Sequence, residues 1–191
     1  TKSIDTNCGT GSNTVIWTRG NEVYRVTPRE NNDVNSCWMP DSHRLNFHYL
    51  HAATRLNAPM IKKGRTHETA DWVEAIAKAA EGLQGRQRGE IAIIGSGRQT
   101  NEELYLLKLL ADTLETDLLT LVARDKDSDG KLISADRNPN TTGAKLLWAT
   151  EDPYAKLDAI REGVRSRKIR ALVVFYEDLL EEADFKAEDL R

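Results

Sequence analysis

The apolar positions of the chain follow two different periods. In the first forty residues, NTVIWT and EVYRVT are β-branched and aromatic runs of strand type. The Arg19-Gly20-Asn21 between them supplies the positive-φ residues that a tight hairpin needs. Polar residues follow, and then CWMPDSHRLNFHYLHAA, in which Asp41 or Ser42 can cap a short helix after Pro40. RLNAPMIKKG reads as an extended connector. From Thr69 the period becomes helical: Trp72, Val73, Ile76, Ala79, Ala80 and Leu83 fall on one stripe.

EIAIIGS is a short apolar run of the kind buried in a parallel sheet. Thr100-Asn101-Glu102-Glu103 is a capping box, and it opens a helix predicted to run to about Thr116 and to bury Leu104, Leu107, Ala111 and Leu114. DLLTLVA predicts a second strand, Pro153 to Arg165 a second helix, and IRALVVF a third strand. Strand-helix-strand-helix-strand at this spacing implies α/β topology with a parallel sheet and right-handed crossovers. The predicted organisation is a small β-rich subdomain over 1–57, a connector and helix over 58–89, and a Rossmann-like α/β portion over 90–191.

Composition narrows the function classes. The 191 residues carry a formal charge of −3, with both signs interspersed, which argues against a nucleic-acid footprint. No apolar run is long enough to span a bilayer, so direct membrane insertion is not expected and a cytoplasmic location is. Two cysteines, Cys8 and Cys37, allow at most one disulfide, and reduced thiols are the expectation. Residue 1 is Thr, and the final EEADFKAEDLR follows a strand with no evident stop, so the sequence reads as a piece of a larger protein with an incomplete α/β portion.

Three stretches offer chemistry. Gly95-Ser96-Gly97-Arg98-Gln99-Thr100 follows a strand and opens a helix, where a dinucleotide fold places G-x-G-x-x-G against a pyrophosphate. The third glycine is Thr100, however, and the partial fingerprint favours a well-capped turn without a ligand. Asp125, Asp127, Asp129 and Asp136 in DKDSDGKLISAD match alternate oxygen positions of a calcium loop. The flanking helices of an EF-hand are missing and Asp136 replaces the usual Glu, so an acidic surface turn is the plainer reading. His43, His48, His51 and His67 are spaced too widely on a helix to share one ion, which leaves scattered surface or packing histidines. Ser96 lacks the G-x-S-x-G frame of a hydrolase elbow.

The order of the pieces carries a resemblance. CGTGSNTVIWTRGNEVYRVTPRENNDVNSCWMPDSHRLNFHYLH, then RLNAPMI, DWVEAI and IAIIGSGRQTNEELYLLKLLADTL, resembles the molybdopterin oxidoreductase superfamily. It is most similar to the large peripheral iron–sulfur subunit, the 75 kDa subunit, of NADH-quinone oxidoreductase, respiratory complex I. In that superfamily the small β unit commonly carries a 4Fe-4S cluster on four cysteines. The resemblance places these positions on Asp5, Cys8, Ser12 and Pro40, leaving Cys8 as the lone remnant. Cys37 would raise the count only to two thiolates, and such clusters are held by thiolates. LVARDKDSDGKLISADRNPNTTGAKLLWA has no cysteine where the molybdenum and tungsten enzymes place a metal ligand, and NPNTTGA is similar to the complex I subunit.

The resemblance therefore implies a structural, cofactor-free segment with a degenerate cluster motif, itself non-catalytic. It would support electron transfer from NADH to quinone and pack against other subunits of the peripheral arm, with iron–sulfur clusters expected elsewhere in the full-length subunit. The rival expectation is a catalytic, formate dehydrogenase-like molybdopterin domain or a dinucleotide-binding oxidoreductase using Gly95 to Thr100.

Overall fold

The computed structural model describes residues 1–190. Strands β1 (Lys2–Ile4), β2 (Asn13–Arg19) and β3 (Glu22–Pro28) form an antiparallel sheet in that order. Gly20 and Asn21 take φ values of +56° and +65° in the β2–β3 turn, and Arg19 pairs with Glu22. Two successive left-handed residues match the right-handed twist of the strands they join. Strand β1 is too short to show a period and was not predicted. Helix α1 (Asp41–Arg44) starts at Asp41, with Pro40 in the capping position and no side-chain cap, so neither Asp41 nor Ser42 caps it. A 3-10 turn follows at His48–His51.

The expected connector is instead partly a hairpin. Strands β4 (Met60–Lys63) and β5 (Thr66–Thr69) pair antiparallel around Gly64, whose φ is +65°. Helix α2 (Trp72–Leu83) is capped by Asp71, which accepts from the Glu74 amide at 2.8 Å. Its apolar stripe is uncovered: Trp72, Val73 and Ile76 are all exposed.

The remaining elements are β6 (Ile91–Gly95), α3 (Asn101–Thr113), β7 (Leu119–Leu121), α4 (Thr141–Trp148), α5 (Leu157–Arg165), β8 (Ala171–Val174) and α6 (Leu179–Glu182). Strand β6 is central, parallel to β7 on one side and β8 on the other. Its residues alternate between two cores, as the period of a strand requires. Ala92 and Ile94, with Val122, pack against Ile160 and Val164 of α5 and against Leu179 and Phe185. Ile93 and Leu121 pack on the opposite face against Leu104, Leu107 and Ala111 of α3 and Ala144 and Trp148 of α4. Burial on both faces is why EIAIIGS carries no polar alternation. The Trp148 Nε1 donates to the Leu104 carbonyl at 3.0 Å, tying α4 to α3. Leu114, expected in the buried set, lies at the edge of this core and is only partly buried.

This division of burial sets an expectation for stability. Leu104→Ala, at a fully buried position, should cost about 3 kcal/mol. Val73→Ala, on the exposed face of α2, should stay within about 0.5 kcal/mol. Urea unfolding of both variants checks this, and equal losses would contradict the assignment of the core.

Candidate functional site

The loop between β1 and β2 closes on itself and on the α/β portion. The Asp5 amide donates to the Ser12 carbonyl at 2.8 Å, and Gly11, at φ +63°, turns the chain. The Gly9 amide donates to the Asp136 carbonyl at 2.8 Å, fastening the loop to the segment after β7. Inside the loop, Cys8 and Ser12 are fully buried and Asp5 nearly so. The Asp5 carboxylate accepts from the Asn7 amide and side chain on one oxygen, while its Oδ2 lies 2.6 Å from His43 Nδ1. The Ser12 hydroxyl is buried with no hydrogen-bond partner among the described residues.

The Asp5, Cys8 and His43 ligand atoms all lie within 4.8 Å of one another, and all three residues are buried. Of the four positions that the resemblance assigned to a cluster, Asp5, Cys8 and Ser12 thus come together in one loop, and Pro40 is buried nearby in sequence to α1. Cys37 is exposed and unpaired. A 4Fe-4S core requires thiolates, and a whole Fe4S4 unit must fit between its ligand atoms. One cysteine with neighbouring groups at this spacing does not fit that cluster. His43 was not expected among these residues, because its partner is 38 positions away; the available signal was its place three residues beyond Pro40. The two other histidines of this region are exposed: His51 Nε2 accepts from the Val23 amide at 3.0 Å, and His48 stacks on Phe47.

The Gly95 to Thr100 turn uses its own donors. The Ser96 amide donates to Gln99 Oε1 at 2.9 Å, the Arg98 amide to Ser96 Oγ, and the Gln99 amide to the Ser96 carbonyl. The Thr100 amide donates to Glu103 Oε2 and the Glu103 amide to Thr100 Oγ1, completing the predicted capping box. The glycines serve packing as well. A Cβ on Gly97 would stand 2.4 Å from Asn138 Cβ, and one on Gly95 would stand 2.6 Å from Leu107 Cδ1. The amides that would cradle a phosphate are therefore largely occupied within the protein.

In the acidic loop, Asp125 and Asp136 face each other as a β-bridge. Asp129 Oδ1 accepts from the amides of Lys131, Leu132 and Ile133, which hold its carboxyl below the usual range. Asp136 Oδ1 accepts from the Asn138 amide, and the Asp127 carbonyl accepts from Arg137 Nη2. These four carboxylates do not gather into a ligand group among the described residues.

At the carboxyl ends of the strands, where ligands settle in open α/β sheets, lies a buried polar cluster that the sequence did not reveal. Arg124, just after β7, donates through Nη1 to Glu177 Oε1 at 2.8 Å and to Asn138 Oδ1 at 3.1 Å, and its Nη2 contacts both Glu177 and Glu182. Burial pushes the Glu177 carboxyl up, against the pull of Arg124, while Arg124 holds Glu182 down. Asn138 is fully buried, and its Nδ2 donates to the Val122 carbonyl and the Tyr154 hydroxyl. Outside this cluster, a cleft of about 590 Å³ lies between the two parts of the chain, lined by residues including His43, Asn46, Arg98, Arg124 and Lys126.

The buried loop, with Asp5, Cys8 and Ser12 at the positions that the resemblance assigns to cluster ligands, is thus fastened to a parallel α/β unit. Residues 1–48 match the family of NADH-ubiquinone oxidoreductase NDSU1/NuoG-like 4Fe-4S domains. The chain is 38% identical over 122 residues to the mitochondrial NADH-ubiquinone oxidoreductase 78 kDa subunit of Candida albicans, covering 63% of this chain and 17% of that protein. It is 30% identical over 166 residues to the NADH-ubiquinone oxidoreductase 75 kDa subunit of Reclinomonas americana, covering 83% and 23%. Over 115 residues it is 30% identical to the probable oxidoreductase YjgC of Bacillus subtilis, covering 58% and 12%. The chain is thus a relative of the large iron–sulfur subunit of NADH-quinone oxidoreductase, and it spans less than a quarter of the length of these relatives. Among the described residues no helix is long and apolar enough to cross a membrane.

Arg124→Met leaves Glu177 buried without its partner and should cost about 3 kcal/mol at neutral pH. A carboxyl whose folded pKa is raised adds stability below its unfolded pKa and loses it as pH rises. One whose folded pKa is lowered, as for Glu182, loses its contribution as pH falls. Without Arg124, burial pushes Glu177 up further, so acidification relieves the variant more than wild type, while wild type alone loses the Glu182 contribution; both narrow the gap. Unfolding free energies at pH 7 and pH 5 check this; a gap that widens at pH 5 would contradict it.

Proposed function

We propose that this chain is a structural segment, free of redox cofactors, of the large peripheral subunit of an NADH:quinone oxidoreductase. It supports electron transfer from NADH to quinone by holding its surroundings in place, and carries no electrons itself. The observation that bears most weight is the donor set of the β1–β2 loop: one cysteine, Cys8, beside an Asp5 carboxylate already bonded to His43 and Asn7. Electron transfer needs a redox centre, and a four-iron cluster needs more thiolates than this loop has.

On this reading the α/β portion is a Rossmann-like unit retained as scaffold, and the boundaries at 57/58 and 89/90 separate it and its connector from the lapsed cluster unit. The Arg124, Asn138 and Glu177 cluster at the strand ends supports that view, because its polar groups are bonded to one another. The partners are other subunits of the peripheral arm on the cytoplasmic side of the membrane, with iron–sulfur clusters in other parts of the subunit. The uncovered stripe of α2 supports packing within a larger assembly. The similarity to a probable oxidoreductase favours a second reading, a catalytic domain holding a pterin or dinucleotide. The occupied amides of the Gly95 to Thr100 turn speak against it.

Anaerobic purification with iron and molybdenum analysis tests the proposal. The expected protein is colourless in the visible range, with neither iron nor molybdenum in stoichiometric amount, and cluster reconstitution should succeed only after Asp5→Cys, Ser12→Cys and Pro40→Cys are combined. A brown wild-type protein that takes up four irons would overturn it.

A further inference from the structure

We propose that the β1–β2 loop is a mononuclear divalent-metal site of zinc type, with Asp5, Cys8 and His43 as protein ligands. This goes beyond the scaffold reading and agrees with it, since zinc has no redox chemistry of its own.

Four observations carry the inference. The carboxylate, thiol and imidazole ligand atoms lie within 4.8 Å of one another. A tetrahedral zinc ion with bonds of about 2.0 to 2.3 Å holds its ligand atoms roughly 3.3 to 3.8 Å apart, so no pair needs to close by more than about 1.5 Å. The site is also balanced in charge: a carboxylate and a thiolate neutralise a divalent cation, with His43 neutral, which removes most of the cost of burying an ion. The three residues come from two separate segments, Asp5 and Cys8 from the loop and His43 from α1, so coordination would cross-link the small unit. Finally, Ser12 in the same loop keeps a fully buried hydroxyl without a hydrogen-bond partner among the described residues. A water would complete the four-coordinate shell.

Without metal, the proton of a 2.6 Å hydrogen bond joins Asp5 Oδ2 and His43 Nδ1. This is shorter than two ligands of one ion can stand. On binding, the ion takes the place of that proton and the contact opens, while Cys8 gives up its thiol proton, as metal capture by protein ligands requires. The ion has a route of entry, because His43 lines the cleft of about 590 Å³ between the two parts of the chain.

Cobalt(II) binding to the full chain tests the site, with zinc as competitor. The expected spectrum has the visible bands of a tetrahedral ion and a near-ultraviolet thiolate-to-cobalt band, both displaced by one equivalent of zinc. Cys8→Ser should abolish the near-ultraviolet band. His43→Gln should weaken cobalt binding by more than about a hundredfold, beyond what loss of a supporting group costs. Asp127→Asn, in the acidic loop, should change neither. If Cys8→Ser does not fold, His43→Gln alone decides. No thiolate band in wild type, or one that survives His43→Gln unweakened, would overturn the metal site and leave the scaffold reading intact. Uptake of four irons in place of one cobalt would overturn both.

Discussion

The arrangement depends on satisfying one buried amide. Asn138 is fully buried, and a polar side chain in that position is costly unless each of its groups finds a partner. Its oxygen takes Arg124, and its nitrogen donates to Val122 at the end of β7 and to Tyr154 before α5. Gly97 must be glycine to let the β6–α3 turn lie against it. The Asn140 amide two residues on donates to the Gly97 carbonyl at 2.8 Å, so the loop entering α4 is sewn to the same turn. The backbone just before Asn138 presents the Asp136 carbonyl to Gly9. One hub thus sets the strand ends, the glycine turn and the seat of the cluster-type loop.

On the proposed reading, these linked contacts are what would hold the loop in place without iron. In a cluster domain the metal core joins segments distant in sequence. Here the same joining is done by the Asp5–His43 contact, the Gly9–Asp136 hydrogen bond and the internal Asp5–Ser12 bond. A net hydrogen bond is worth only about 1 kcal/mol, but leaving a buried carboxylate unpaired costs more. The pairing of Asp5 with His43 therefore counts for more in what it prevents than in what it adds.

Much of this fold was legible where local chemistry dictates structure. Gly20 and Asn21 announce a hairpin, Thr100 with Glu103 announces a helix start, and the run Ile91 to Gly95 announces a strand buried on both faces. The illegible parts depend on distant partners. Strands β4 and β5 are short, mostly exposed and weakly patterned, so only their pairing makes them strands. Helix α4 begins without a side-chain cap and runs for eight residues, too few to show a clear period. Asn138 and Arg124 look like loop polars until the sheet brings Glu177 against them. His43 looks like one surface histidine among four until α1 folds back over the loop. The apolar stripe of α2 was correctly read as a stripe, yet periodicity alone cannot say what covers it.

The central claim is that the β1–β2 loop keeps its folded, docked state without an iron–sulfur cluster. Native-state hydrogen exchange on iron-free, chelator-treated protein measures this most directly. The account predicts that the Asp5 and Gly9 amides, bonded to Ser12 and Asp136, are protected to a degree comparable with the Ile93 amide of the central strand. Exchange of Asp5 and Gly9 at the rate of an open loop, with Ile93 still protected, would contradict it.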